Sequence, residues 1–262
     1  MSLSGSYAWQ KRPISQHQRE DQQLAEHIHA VYHSGRQVYG SPRIHAELRE
    51  QGITSSRKRR ARLMREQGLS ARRRWHRTTT TKSESGARVA PNLLAQELTA
   101  SHLNEKWTGD ITAIWTYEGW LYLAVVLDLF SRRVIGWARA ATQDEALIET
   151  ALPMALLGRQ PSPGLVFHSD RGSQYTSDAY RAALAAADIT VSMSRTGNGY
   201  DNAVTASFFG TLKGECVERT CFQTRREARQ TIFEYGECFY NRVRRHSSLG
   251  SVSPVAYELV MC

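Results

Sequence analysis

The chain has 262 residues, 41% of them hydrophobic, which suits a globular protein with one large domain and a small one, and its net charge is +9. No apolar run approaches the roughly 20 residues that span a bilayer, and Met1 to Arg12 lacks a secretory hydrophobic stretch, so the expectation is a cytoplasmic protein with no membrane partner. The four cysteines, Cys216, Cys221, Cys238 and Cys262, form no CxxC pair and adjoin no histidine pattern, which reads as buried reduced thiols rather than zinc ligands.

Charge is unevenly placed. Residues 1–90 hold 18 Lys/Arg against 7 Asp/Glu, an excess of 11, while the remainder holds 16 against 18. A basic excess confined to one third of the chain points to a polyanion, with nucleic acid the leading partner and a merely solvated surface the alternative.

In chain order, residues 1–20 are polar and aperiodic and read as a flexible lead-in. A first helix follows, with Leu24, Ile28, Val31 and Tyr32 at helical spacing and Gly35 at its end. A second is announced by Ser41 as N-cap and Pro42 in the first turn, with Ile44 and Leu48 on one face and Gly52 closing it. The third runs from about Ser56 to Glu66, with Leu63 and Met64 packing, and Gly68 stops it. The short turn between the last two helices predicts a helix-turn-helix over residues 21–76, whose last helix bears Arg57, Lys58, Arg59, Arg60, Arg62 and Arg65. Of these, Arg57, Lys58, Arg59, Arg62 and Arg65, with the following Arg72, Arg73 and Arg74, are the candidate DNA contacts. Residues 77–100 read as a linker.

Residues 101–224 read as an α/β domain. Lys106 to Trp115, Leu121 to Leu129 and Val134 to Ala138 are strands, with a turn at Glu118-Gly119. A helix spans about Asp144 to Leu157, with Pro153 expected to kink or shorten it. Then come a strand at Gly164 to Ser169, a helix from the Ser177 cap through Ala187, a strand at Ile189 to Met193, and a helix capped by Asp201 running to about Val217. Three antiparallel strands followed by alternating helices and strands predict a mixed sheet covered on both faces. Residues 225–262 read as a C-terminal helical segment.

Two aspartates sit where solvation does not explain them: Asp110 within the first strand and Asp170 at the end of the fourth. Converging carboxylates at strand ends suit a pair of divalent ions about 3.5–4 Å apart that promote phosphoryl transfer. Asp128 and Asp201 compete with them on these grounds.

Several ordered motifs then coincide: Trp107-Thr108-Gly109-Asp110-Ile111-Thr112, Tyr122 through Asp128, His168-Ser169-Asp170-Arg171-Gly172-Ser173-Gln174-Tyr175, Gly199-Tyr200-Asp201-Asn202-Ala203, and, near the end, Tyr240-Asn241-Arg242 and His246-Ser247-Ser248-Leu249. Together with Tyr39 to Ile44 in the basic region, they resemble the catalytic, second-reading-frame subunit of insertion sequence 3 family transposases, relatives of retroviral integrases, over almost the whole chain. The resemblance implies a ribonuclease-H-like fold after a small all-α domain, and a catalytic triad of two aspartates and a glutamate separated from the second by 35 residues. That position here is Ala206. The family's basic residue seven further on is Lys213, two helical turns along the same face, with Val204, Phe208 and Leu212 as the buried flank.

The resemblance implies two Mg²⁺ or Mn²⁺ ions with an intact triad, and double-stranded DNA as substrate, both terminal inverted repeats and target. It also implies at least a dimer on paired ends, an upstream regulatory subunit as a further partner, and a bacterial, nucleoid-associated location. The helix from Tyr235 to Tyr240 is the candidate interface. Asp110 and Asp170 are the metal ligands so implied, with position 206 the missing third, so the chain should bind DNA better than it cuts it. The competing readings are a non-catalytic DNA-binding derivative or decayed copy, and a ribonuclease-H-like nuclease, which leaves the basic helices unexplained. A retroviral-type integrase is disfavoured because residues 1–90 contain no cysteine. Arg60 stands where relatives tend to be apolar, and Gly109 where a small polar residue is equally expected.

Overall fold

The computed structural model describes residue 7 and residues 13–71, 90–195 and 201–261, and the chain forms two compact units, Met1–Arg72 and Arg73–Cys262. In the first unit, helices α1 (Gln16–Ser34), α2 (Ser41–Glu50) and α3 (Arg57–Glu66) pack on one another. Their shared core is Leu24, Ile28, Val31, Tyr39, Ile44, Leu48, Leu63 and Met64. Helix α1 starts at Gln16, inside the stretch read as a flexible lead-in, because Ser15 and Gln18 form a reciprocal capping box. Gly40, not Ser41, is the N-cap of α2, so Ser41 is its first residue and makes no cap bond. Ser56 does cap α3, accepting from the Arg59 N–H at 3.1 Å.

The second unit is built on a five-stranded sheet of order β3-β2-β1-β4-β5, comprising β1 (Lys106–Thr116), β2 (Gly119–Asp128), β3 (Val134–Ala140), β4 (Val166–Ser169) and β5 (Thr190–Met193). Strands β1, β2 and β3 are antiparallel, and β4 and β5 run parallel to β1. The mixed sheet expected from the sequence is present. Helices α4 (Glu145–Arg159), α5 (Ser173–Thr176) and α6 (Asp178–Ala186) occupy the connections before and after β4. Against one sheet face, Leu147, Ile148, Ala151, Leu152, Tyr180 and Leu184 form a core with Trp107, Ala124, Val126 and Phe167. The close approach depends on two glycines: a Cβ on Gly136 would lie 2.4 Å from the Ala151 carbonyl oxygen, and one on Gly109 would lie 2.6 Å from the Phe167 ring. That contact is why glycine rather than a small polar residue precedes Asp110. Pro153 does not shorten α4, which continues to Arg159. Pro153 has no N–H to offer the Glu149 carbonyl one turn earlier, and both residues are exposed.

The opposite face is covered by α7 (Ala203–Glu215) and α8 (Arg225–Phe233), where Phe208, Leu212, Ile232 and Phe233 face Leu123, Val125 and Trp137 across a narrow gap. Helix α7 was expected to be capped by Asp201, but its N-cap is Asn202. Its buried residues are Thr205, Phe208, Phe209, Thr211 and Leu212, so Thr205 takes the inward place expected for Val204, which is only half-buried. A π-helical turn, Glu234–Tyr240, continues α8, and α9 (Pro254–Met261) follows. In the Tyr235–Tyr240 segment expected as an interface, the rings of Tyr235, Phe239 and Tyr240 turn inward and are buried within this unit, with Tyr240 stacked edge-on to Phe208 at 4.8 Å. The Asn241 side chain accepts from the Val134 N–H at 3.0 Å and donates to the Val134 carbonyl at 2.9 Å, satisfying the free edge of β3 as another strand would. Of the cysteines, Cys216 is buried as expected, but Cys221 and Cys238 are exposed free thiols, and Cys262 lies outside the described residues.

Candidate active site

Strand β1 is parallel to β4, with Lys106, Trp107 and Thr108 opposite Val166, Phe167 and His168. Two residues past the last of these pairs lie Asp110 and Asp170, so the ladder brings the two carboxyls side by side where β4 ends. Because side chains alternate along a strand, Asp110 shares its sheet face with Thr108, and Thr108 faces α7. The Thr108 hydroxyl donates to Asn202 Oδ1 at 2.8 Å and lies 3.0 Å from the Thr205 hydroxyl, which donates to the same oxygen at 2.8 Å. Ala206 is the next residue of α7 and is exposed.

The electrostatics agree with this placement. Burial, and then the neighbouring Asp170, raise Asp110 to about 7, partly offset by its hydrogen bond from the Ile111 N–H and by Lys213. Burial raises Asp170 as well, against the Gly172 N–H that donates to it at 2.9 Å. Buried Tyr175 on α5 has its hydroxyl pushed well up by burial and then by Asp110, Tyr180 and Asp170. Lys213, half-buried on α7, lies within electrostatic reach of Asp110 and lowers it.

Two competing acids are consumed elsewhere. Asp128 is fully buried and accepts from the N–H groups of Phe130 at 2.8 Å, Ser131 at 3.0 Å and Asn104 at 2.9 Å, fixing the turn after β2. Asp201, also fully buried, accepts from Asn92 at 2.9 Å and from the Arg195 backbone at 2.9 Å and guanidinium at 3.2 Å, and these bonds from Arg195 outweigh burial and hold its carboxyl below the usual range. By contrast, Asp110 and Asp170 each accept a single backbone N–H from a near neighbour, at 2.7 and 2.9 Å. Two adjacent carboxyls with spare lone pairs and mutual repulsion are a donor set that fits a divalent cation. Ala206 adds a methyl and no oxygen, and among the described residues no group of three or more His, Cys, Asp or Glu side chains converges as a metal site.

In the helical unit, the candidate DNA contacts divide. Arg57, Lys58 and Arg65 are exposed. Arg59 and Arg62 are instead engaged by α1, each 2.5 Å from a carboxylate oxygen of Asp21, with Glu20 and Glu66 as further partners. Arg60 is 1% exposed, donating from Nη2 to the Ile53 carbonyl at 3.0 Å while its Nε and Nη1 find no partner. Arg72, Arg73 and Arg74 lie outside the described residues. Thr108, Asn202 and Tyr175 fall within the sequence motifs and Thr205 lies just outside them, but nothing in a linear motif reveals which polar side chains meet across 94 residues.

Comparison with known proteins adds the family. A description of an HTH-like domain matches residues 18–77, and two descriptions of an integrase core domain match residues 100–199 and 206–260. The chain is 43% identical over 260 residues to "Transposase InsF for insertion sequence IS3A" of Escherichia coli (strain K12), covering 98% of this chain and 90% of that protein. It is 41% identical over 258 residues to "Insertion element IS600 uncharacterized 31 kDa protein" of Shigella sonnei, covering 98% and 95%. Among solved structures, a chain of the simian T-cell lymphotropic virus intasome, solved in complex with PP2A regulatory subunit B56 gamma, aligns over 89% of this chain and 73% of its own length, with a TM-score of 0.50 and 16% identity, a likeness of fold.

Proposed function

The chain belongs to the insertion sequence 3 family of transposases, and from that premise we propose that its site is built for DNA strand cleavage and strand transfer at transposon ends, with the chemistry suppressed by alanine at position 206. In the first step a water oxygen bonds to phosphorus and the bond to the 3′-oxygen breaks, leaving a 3′-hydroxyl. In the second that hydroxyl attacks a phosphodiester of target DNA and displaces its 3′-oxygen. Both are in-line displacements.

The observation that carries the reading is the placement of Asp110 and Asp170 two residues past the β1–β4 ladder, each short of hydrogen-bond donors. These carboxylates would hold Mg²⁺ or Mn²⁺. A pair of such ions, when bound, activates the attacking oxygen and stabilises the leaving one. Lys213 offsets the charge at Asp110 and, in the same register, orients a DNA phosphate. Arg57, Lys58 and Arg65 hold the duplex, with Arg72, Arg73 and Arg74 as further contacts, while Arg59 and Arg62 act through their ion pairs with Asp21. The expected partners are terminal inverted repeats, target DNA, a second copy of the chain on paired ends and an upstream regulatory subunit. The expected location is the bacterial cytoplasm.

Position 206 favours a second reading for the chain as it stands, a DNA-binding protein without catalysis. Restoration separates the two. The Ala206→Glu variant should cleave and join end DNA with Mg²⁺ or Mn²⁺, several orders of magnitude faster than the chain as it stands, while gel-shift affinity changes little. An Ala206→Glu protein that binds the element's inverted repeats yet stays inert with either metal would overturn the catalytic assignment.

A further inference from the structure

Asn202 occupies the N-cap of α7, where an asparagine oxygen ordinarily accepts an N–H of the helix's own first turn. Here it makes no such bond. Its Oδ1 instead accepts from the hydroxyls of Thr108, two residues before Asp110 on β1, and Thr205, one residue before Ala206 on α7. Thr108 and Thr205 are each almost fully buried and Asn202 is 9% exposed, so the contacts are shielded from water. The preceding residue, Asp201, is fixed by Asn92 and Arg195, and Ser192 of β5, which lies 2.9 Å from the Nδ1 of His168 on β4, accepts from the Leu93 N–H at 2.9 Å. The start of α7 is therefore tied to β1 directly, and to the strand end that carries Asp170 through the segment at Asn92 and Leu93.

We propose that Thr108, Asn202 and Thr205 form a positioning latch that sets where residue 206 stands relative to Asp110 and Asp170. The proposal rests on the catalytic reading above. Apolar contacts such as those of Phe208 and Leu212 are non-directional, so they specify the helix's register on the sheet less sharply than hydrogen bonds do. Rotation by one residue would turn position 206 by about 100° relative to the sheet. Two hydrogen bonds to one oxygen, made from both elements, fix translation and rotation together. A cap that served only the helix would have pointed inward along α7.

The test uses the full chain carrying Ala206→Glu, with Mn²⁺ binding followed by electron paramagnetic resonance, single-turnover cleavage of inverted-repeat DNA, and thermal melting. Asn202→Ser retains a side chain that caps helices but cannot bridge to Thr108, and Thr108→Val and Thr205→Val remove one hydroxyl each at constant shape. Each should weaken Mn²⁺ binding about 10-fold or more and slow cleavage by about 10- to 100-fold. Thr205→Ser, which restores a hydroxyl, should recover most of both. Tyr235→Phe, which deletes the 2.8 Å bond to Glu215 at the end of α7 opposite Asn202, provides the comparison for general loss of stability. If the latch variants, including the well-capped Asn202→Ser, bind Mn²⁺ within about twofold of Tyr235→Phe at matched melting temperature, the latch is refuted and the catalytic reading stands. If Ala206→Glu alone neither binds Mn²⁺ nor cuts, the catalytic reading falls and the latch falls with it.

Discussion

At Asp110, burial and the adjacent Asp170 carboxyl raise the acid to about 7 against an ordinary value of 3.8. The folded chain therefore holds a proton that the unfolded chain releases, and linkage fixes the sign: stability is greatest below the unfolded value and declines as pH rises toward about 7. Above that pH the folded state carries an ionised, partly buried carboxylate beside another, at a cost on the order of 2 kcal/mol or more. Asp110→Asn removes the charge while keeping shape. Metal-free Asp110→Asn should melt higher than the unsubstituted chain at about pH 8 and nearly level with it at about pH 3.5. Parallel melting curves across that range would show that the fold does not raise Asp110. A carboxyl so raised, with a single N–H donor, has lone pairs left for a cation, which marks Asp110 off from Asp128, whose oxygens are already taken by three backbone N–H groups.

Elements were legible in the sequence where their signals are local. The apolar run of β2, the Ser56 cap of α3 and the Gly52 and Gly68 stops, both at positive φ, were all visible without the fold. The inward set of α7 was not, because Thr205 is polar by composition and its burial depends on Thr108 lying opposite. Nor was the role of Asn241, since an asparagine that substitutes for a strand leaves no periodic trace. Its two bonds to Val134 close the edge of β3 beneath the π-helical turn. Asn241→Ala would leave a buried N–H and a buried carbonyl without partners, at about 1–3 kcal/mol. The expected result is a lower melting temperature and faster hydrogen exchange at Val134, with DNA affinity of the helical unit unaffected. Unchanged exchange at Val134 would mean that the edge is protected by something other than this side chain.

Across the whole molecule the informative asymmetry is that the positive charge gathers in the first third while the acids that fit a metal lie in the sheet. Arg57, Lys58 and Arg59 fill the first turn of α3, where the helix dipole disfavours cations, and no acid in that turn offsets them. Asp21 neutralises Arg59 and Arg62 from α1, which leaves Arg57, Lys58 and Arg65 facing outward. Charge kept against helix stability and left facing solvent fits phosphate contact. Each lysine or arginine that neutralises a phosphate releases counterions, and the slope of log affinity against log salt changes by about 0.9 per contact on duplex DNA. Replacing Arg57, Lys58 and Arg65 with alanine together should therefore lower that slope by about 2–3 and weaken binding to any duplex. Arg59→Ala and Arg62→Ala should change it less, because those guanidiniums are already paired. Arg60→Met should leave the slope where it was, since Arg60 is buried and reaches no solvent. A triple variant whose salt dependence matches the unsubstituted chain would place the phosphate contacts elsewhere.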